Sequence, residues 1–152
     1  IRVVIHPQSV VHSMVRMNDG AVYAQLSRPD MRLPIHQALY WPQAAPGPFG
    51  RLDFDSLRLD FENPDTKKFP ILALAYEAVK RGGLYPCAYN GANEAAAAAF
   101  LDRRIGFLDI SRITGYVLEK DWSAEAADIA GVLEADAKAR TLAESIINKD
   151  LQ

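Results

Sequence analysis

Apolar and polar positions alternate in the early part of the chain and recur at helical spacing later, with the change of period near residue 70. Residues 1–6 (I-R-V-V-I-H) are β-branched and predict a strand that Pro7 ends. Two more β-rich runs, 10–17 and 21–26, flank Asn18-Asp19-Gly20. Asp-Gly marks a hairpin, because the dipeptide tolerates the positive φ of a tight turn. The hairpin, with a further strand before it, needs a partner sheet or helix to be stable. Pro29-Asp30-Met31 then opens a helix that runs to about Tyr40, with Asp30 as N-cap and Pro34 tolerated in the first turn. Trp41-Pro42 stops it.

Residues 42–70 change character. Pro42, Pro46, Pro48, Pro64 and Pro70, with Gly47 and Gly50, predict a long irregular linker. Its one regular piece is a short strand at 57–61, where Leu-x-Leu-x-Phe alternates. Beyond it, Ile71, Leu72, Leu74, Ala75, Ala78 and Val79 predict a helix over 71–80, ended by Gly82-Gly83. A second helix covers 85–103, with Pro86 in its first turn and alanines at 95–99 small enough to let a neighbour approach closely. A third begins at Asp109 as N-cap and carries Ile110, Ile113, Val117 and Leu118. The last runs over 124–148, after half a capping box at Ser123, with an apolar stripe of Ile129, Val132, Leu133, Leu142 and Ile146. Short loops between such helices predict a bundle. The fold class is therefore α+β: an antiparallel hairpin or sheet portion at 1–41, a linker at 42–70 and a four-helix-bundle-like domain at 71–152.

Composition narrows the function classes. At 152 residues, 49% hydrophobic and 24% charged, the chain is ordinary for a globular protein with a core of its own. A net charge of −2 without a basic run gives no electrostatic ground for nucleic acid or an anionic membrane. The lone Cys87 fits a reducing compartment. No apolar run reaches the ~20 residues of a membrane helix. The chain opens on Ile1, already inside a predicted strand, and reads as a piece of a longer protein that holds only part of any site.

Ser9 and His12 invite a nucleophile–base reading, but positions three apart on one strand face opposite sides. They share a cavity only if Ser9 sits in the loop of Pro7-Gln8, before the strand. No acid stands nearby to orient the imidazole, and no glycine elbow is present. Two other readings stay open: polar groups lining a pocket, or a strand-start cap with a satisfied histidine. His6, His12 and His36 lack metal-ligand spacing. Asp53, Asp55, Asp60 and Glu62 alternate with apolar residues and read as a solvated extended face rather than a cation site. Met31 reads as core filling, or as a polarisable surface for a flat ring, at a helix start able to receive an anion. Asn90, Asn93 and Glu94 read as buried groups that fix helix docking. Neither dinucleotide-binding glycines nor a P-loop is present.

The segments H-P-Q-S-V-V-H-S-M-V-R (6–16), D-G-A-V-Y-A-Q-L (19–26), R-P-D-M-R-L-P-I (28–35), Y-N-G-A-N-E-A-A-A-A-A-F-L (89–101) and V-L-E-K (117–120) resemble the C-terminal part of 1-deoxy-D-xylulose 5-phosphate reductoisomerases. The resemblance implies the end of an α/β catalytic domain, a linker and a C-terminal helical domain. It implies a homodimer, joined through the central sheet, that converts 1-deoxy-D-xylulose 5-phosphate to 2-C-methyl-D-erythritol 4-phosphate. The cofactors it implies are NADPH and a divalent metal (Mg, Mn or Co). It places Ser9, His12 and Met31 in the substrate pocket, Met31 also near the nicotinamide. The metal ligands, main phosphate contacts, lid and dinucleotide domain fall before residue 1. The isolated chain is accordingly expected to be inactive, with a non-catalytic dimerisation or packing role as its alternative. A bacterial cytoplasm is the expected setting, with a plastid left open.

Overall fold

The structure, a computed structural model, describes residues 1–150. The last two positions of the helical domain expected at 71–152 lie outside the described residues. The chain divides into two units, Ile1–Pro64 and Asp65 onward.

In the first unit, β1 (Val11–Arg16) pairs antiparallel with β2 (Val22–Leu26). The connection is a three-residue loop rather than a two-residue one: Met17 N–H donates to Ala21 O at 2.8 Å and Gly20 N–H to Met17 O at 3.1 Å. Gly20 alone takes the left-handed backbone there, at φ 93°, while the Asp19 carboxylate accepts the Ala21 N–H at 2.9 Å. That is how a type I turn followed by a glycine bulge closes a hairpin. α1 (Arg32–Tyr40) follows. Met31 is already helical, and Asp30 accepts the Arg32 N–H at 3.0 Å, capping from one residue further out than expected.

The strand expected at 1–6 does not form. Among the described residues this segment makes one isolated antiparallel bridge, Ile5 to Glu62, with both N–H···O bonds at 2.9 Å. The β-branched pattern favours an extended backbone, but a ladder needs a neighbouring strand, and Glu62 offers a single residue of one. The strand expected at 57–61 is likewise irregular, because the polar groups of Asp60 are bound to side chains instead of a ladder. The unit buries little apolar surface: Val10 is 8% exposed, whereas Val15, Tyr23 and Leu39 are 60%, 67% and 80% exposed.

The second unit consists of α2 (Ile71–Arg81), α3 (Tyr85–Leu101), α4 (Phe107–Leu118) and α5 (Ile129–Asp150). Its core is mostly alanine. Ala88, Ala92, Ala96 and Ala99 of α3 and Ala135, Ala139 and Ala143 of α5 share a buried cluster with Ile113, Val117, Trp122 and Ile147. The two helices come so close that a Cβ at Gly91 would lie 2.9 Å from Asp136 Oδ1 and 3.1 Å from its carbonyl oxygen. Gly82 and Gly83, both at positive φ, end α2 as expected, and Trp122 O accepts the Leu84 N–H at 2.8 Å.

Four local expectations are corrected. Asp109 is not the N-cap of α4; the cap is Gly106, and Asp109, in the first turn, accepts the Gly106 N–H at 2.8 Å. α5 starts at Ile129 rather than 124, because Asp128 accepts the Gly131 N–H at 2.9 Å, while Ser123 bonds back to Asp121. The stripe of α5 is displaced: Ile129 and Leu133 are 79% and 64% exposed, and the inward positions are Ala135, Ala139, Ala143 and Ile147. Leu142 and Ile146 only flank that core. Asn90 and Glu94 are exposed, not buried, and Asn93 is half-buried.

Candidate functional site

Ser9 lies in the loop before β1, not on the strand. Its N–H donates to His6 O at 3.0 Å, and its φ of 51° puts a non-glycine residue in the left-handed region. Segment 60–62 fastens this loop from behind. The His6 ring stacks on Phe61 with centroids 4.8 Å apart, and His6 Nδ1 lies 2.8 Å from Asp60 O, to which it donates. Gln8 Nε2 donates to Asp60 Oδ2 at 2.6 Å, and Gln8 Oε1 accepts the Asp60 N–H at 3.2 Å.

His12 falls at an irregularity of β1. Val11 opposes Leu26 and Ser13 opposes Gln25, so His12 is the extra residue of a bulge. Bulges re-aim side chains. His12 Nε2 stands 3.0 Å from Ser27 Oγ, and that hydroxyl donates to Arg28 O at 3.1 Å. The ring is thereby anchored at Nε2, with Nδ1 as its other polar atom.

Met31 is 76% exposed at the start of α1, which rules out core filling within this unit. Asp30 and Arg32 flank it as an exposed ion pair with Nη2 and Oδ2 2.7 Å apart. The Asp30 carboxyl sits below the usual carboxylate range, first through the hydrogen bond from the Arg32 side chain and then through the Arg32 N–H. The anion-receiving role considered for this helix start is thus taken by the chain's own carboxylate.

No hydrogen bond joins any two of Ser9, His12 and Met31 among the described residues. A depression of about 340 Å³ in this unit is lined by Gln25, Leu33, His36, Gln37 and Phe49, among others, and by none of the three. The chain brings them to its surface from a loop, a bulged strand and a helix start. Among the described residues no group of three or more His, Cys, Asp or Glu could hold a metal ion, so these residues do not fit a complete metal centre. Asp53 is engaged in a local turn with the Asp55 N–H at 3.1 Å, and Asp60 in the loop clamp. No helix among the described residues is long and apolar enough to cross a membrane.

Residues 26–142 match the DXP reductoisomerase C-terminal domain. The chain belongs to that family. A 1-deoxy-D-xylulose 5-phosphate reductoisomerase of Saccharophagus degradans is 52% identical over 98% of this chain and 38% of its own length. One from Pseudomonas fluorescens is 48% identical over 100% of the chain and 39% of its own length. The chain thus spans about two fifths of these curated relatives. Among solved structures, the reductoisomerase of Zymomonas mobilis in complex with NADPH superposes with a TM-score of 0.88 at 45% identity, over 96% of this chain and 39% of that one. A DOX-P reductoisomerase with NADPH, fosmidomycin and magnesium gives a TM-score of 0.85 at 38% identity, over 95% of this chain and 38% of that one.

The bulge at His12 and the left-handed backbone at Ser9 were beyond a reading by residue type. Asp60, read as part of a solvated face, is instead the anchor of the Ser9 loop. Local sequence carries no signal for a partner fifty-odd positions away.

Proposed function

We propose that this chain is the C-terminal part of an NADPH- and divalent-metal-dependent reductoisomerase that converts 1-deoxy-D-xylulose 5-phosphate to 2-C-methyl-D-erythritol 4-phosphate in the non-mevalonate route to isoprenoids. The family match over residues 26–142 carries this reading. The finer organisation proposed with it is the end of an α/β catalytic domain, a linker over 42–70 and a four-helix-bundle-like C-terminal domain.

In this reading Ser9, His12 and Met31 form one wall of the sugar-phosphate pocket, completed by the remainder of the same polypeptide. The Ser9 hydroxyl donates to or accepts from substrate oxygens. His12, held at Nε2 by Ser27, presents Nδ1 to a substrate hydroxyl. Met31 lays an exposed thioether against the nicotinamide. NADPH supplies the hydride; the work of these side chains is to hold the sugar phosphate in a reactive orientation. In this reading the metal ligands come from the remainder of the same polypeptide. The exposed apolar faces at Val15, Val22 and Tyr23 support docking of the hairpin in a homodimer. The bacterial relatives support a bacterial cytoplasm as the setting of this reading.

The test is NADPH oxidation, followed on adding 1-deoxy-D-xylulose 5-phosphate and Mg²⁺. A full-length polypeptide ending in this chain should turn over, and the chain alone should not. Turnover by the chain alone, or none by the full-length protein, overturns the proposal.

A further inference from the structure

The polar atoms of Asp60 are all engaged within the first unit. Its N–H donates to Gln8 Oε1, its carbonyl accepts from His6 Nδ1, and its carboxylate oxygens accept from Gln8 Nε2 at 2.6 Å and Arg58 Nε at 2.9 Å. One residue on, Phe61 stacks under His6, and Glu62 closes a two-bond bridge with Ile5. The loop so held is the one that carries Ser9.

Ser9 is in a conformation that side-chain-bearing residues rarely adopt, with φ 51°. Such a backbone persists only where its surroundings over-determine it. Ser9 itself contributes one local constraint, its N–H on His6 O. The others come from Gln8 and His6, gripped by Asp60 and Phe61 from more than fifty positions away. A side chain one residue from a doubly bonded amide pair, on a backbone that would otherwise relax, owes its direction to that pair.

We propose that Gln8 and Asp60 are positioning residues for the reductoisomerase reaction: their paired side chains lock the left-handed backbone at Ser9 and so aim its hydroxyl at the sugar phosphate. This rests on the reading of Ser9 as a substrate-pocket residue and adds the device that sets its geometry. The linker segment around residue 60 thereby acts as part of the site's scaffold. His6 completes the clamp through its ring, whose Nε2 finds no partner among the described residues, so its contribution is the Nδ1 bond and the stack.

The pair allows a charge-and-donor exchange. Gln8→Glu sets a carboxylate against the Asp60 carboxylate and breaks the clamp. Adding Asp60→Asn returns a donor to face the new carboxylate at position 8, while the amide oxygen at position 60 still accepts from Arg58. Both variants, with Ser9→Ala alone and combined with Gln8→Glu, are to be made in the full-length reductoisomerase. KM for 1-deoxy-D-xylulose 5-phosphate, KM for NADPH and Tm are then measured. Gln8→Glu should raise the sugar-phosphate KM on the order of 10-fold without moving the NADPH KM. The double exchange should return it to within about twofold of wild type, and Gln8→Glu should add nothing in the Ser9→Ala background. A raised KM in Ser9→Ala with an unchanged one in Gln8→Glu overturns the clamp and leaves Ser9 in the site. An unchanged KM in Ser9→Ala removes the underlying reading, and the clamp's role with it. A loss in both KM values and in Tm that the double exchange does not rescue also overturns the proposal, since it marks a general structural role.

Discussion

Arg140 of α5 grips Glu94 of α3 with one guanidinium nitrogen while its Nε holds Asp136, one turn back on its own helix, at 2.6 Å. Asn90 adds a hydrogen bond to the same Glu94 at 3.3 Å. Glu94, with Asn90 beside it, thus ties α3 to α5 from the surface.

The Glu94 carboxyl lies below its ordinary value of 4.5, first through the Arg140 hydrogen bond and then through Asn90. A carboxyl depressed in the folded state contributes stability that is present above the ordinary value and lost as pH falls through the folded one. Urea unfolding followed by Trp122 fluorescence, in a Trp41→Phe background, reads this. The midpoint difference between wild type and Arg140→Gln should be full at neutral pH and shrink as pH falls below about 4.5. A difference that stays constant down to about pH 3 would count against the pairing.

At Gly91 the backbone of α3 lies against α5 with no room for a Cβ. Alanine there gains about 1 kcal/mol of helix propensity but must push against Asp136, whose carbonyl oxygen cannot move without its helix. Valine gains less propensity than alanine, adds more bulk, and should cost about 3 kcal/mol. Gly91→Ala should lie between valine and wild type in urea midpoint; a valine variant as stable as wild type would mean the helices are further apart than described.

The inward face of α5 makes a sharper contrast. Ile147 is fully buried, and Ile147→Ala should cost about 2–5 kcal/mol. Ile129, 79% exposed, should tolerate alanine within about 0.5 kcal/mol. Equal costs would contradict the inward face described for α5.

These helices show what sequence could and could not tell. The hairpin, the end of α2 and the start of α3 were legible because Asp19-Gly20, Gly82-Gly83 and Pro86 act locally on the backbone. The buried face of α5 was not, since alanine carries little hydrophobic signal and its burial follows from the alanines of α3. The strand expected at 1–6 failed for the opposite reason: its residues favour extension, but pairing depends on a distant partner. The fold class needed only the local signals. Ser9, His12 and Met31 stood out by residue type, but only the resemblance assigned them to one substrate pocket. What the structure adds at two of them, a left-handed backbone and a bulge, depends on hydrogen bonds to residues distant in sequence.

Met31 should matter to the nicotinamide rather than to folding, being 76% exposed. Met31→Leu should keep the NADPH KM of the full-length enzyme near wild type, and Met31→Asp should raise it on the order of 10-fold with Tm unchanged. An NADPH KM untouched by aspartate would remove Met31 from the cofactor's surroundings.

Steady-state kinetics of the full-length reductoisomerase with Ser9→Ala and His12→Ala test the account most directly. Each should lower kcat/KM for 1-deoxy-D-xylulose 5-phosphate by on the order of 10- to 100-fold, with Tm held near that of wild type. Wild-type kcat/KM in both variants would contradict it.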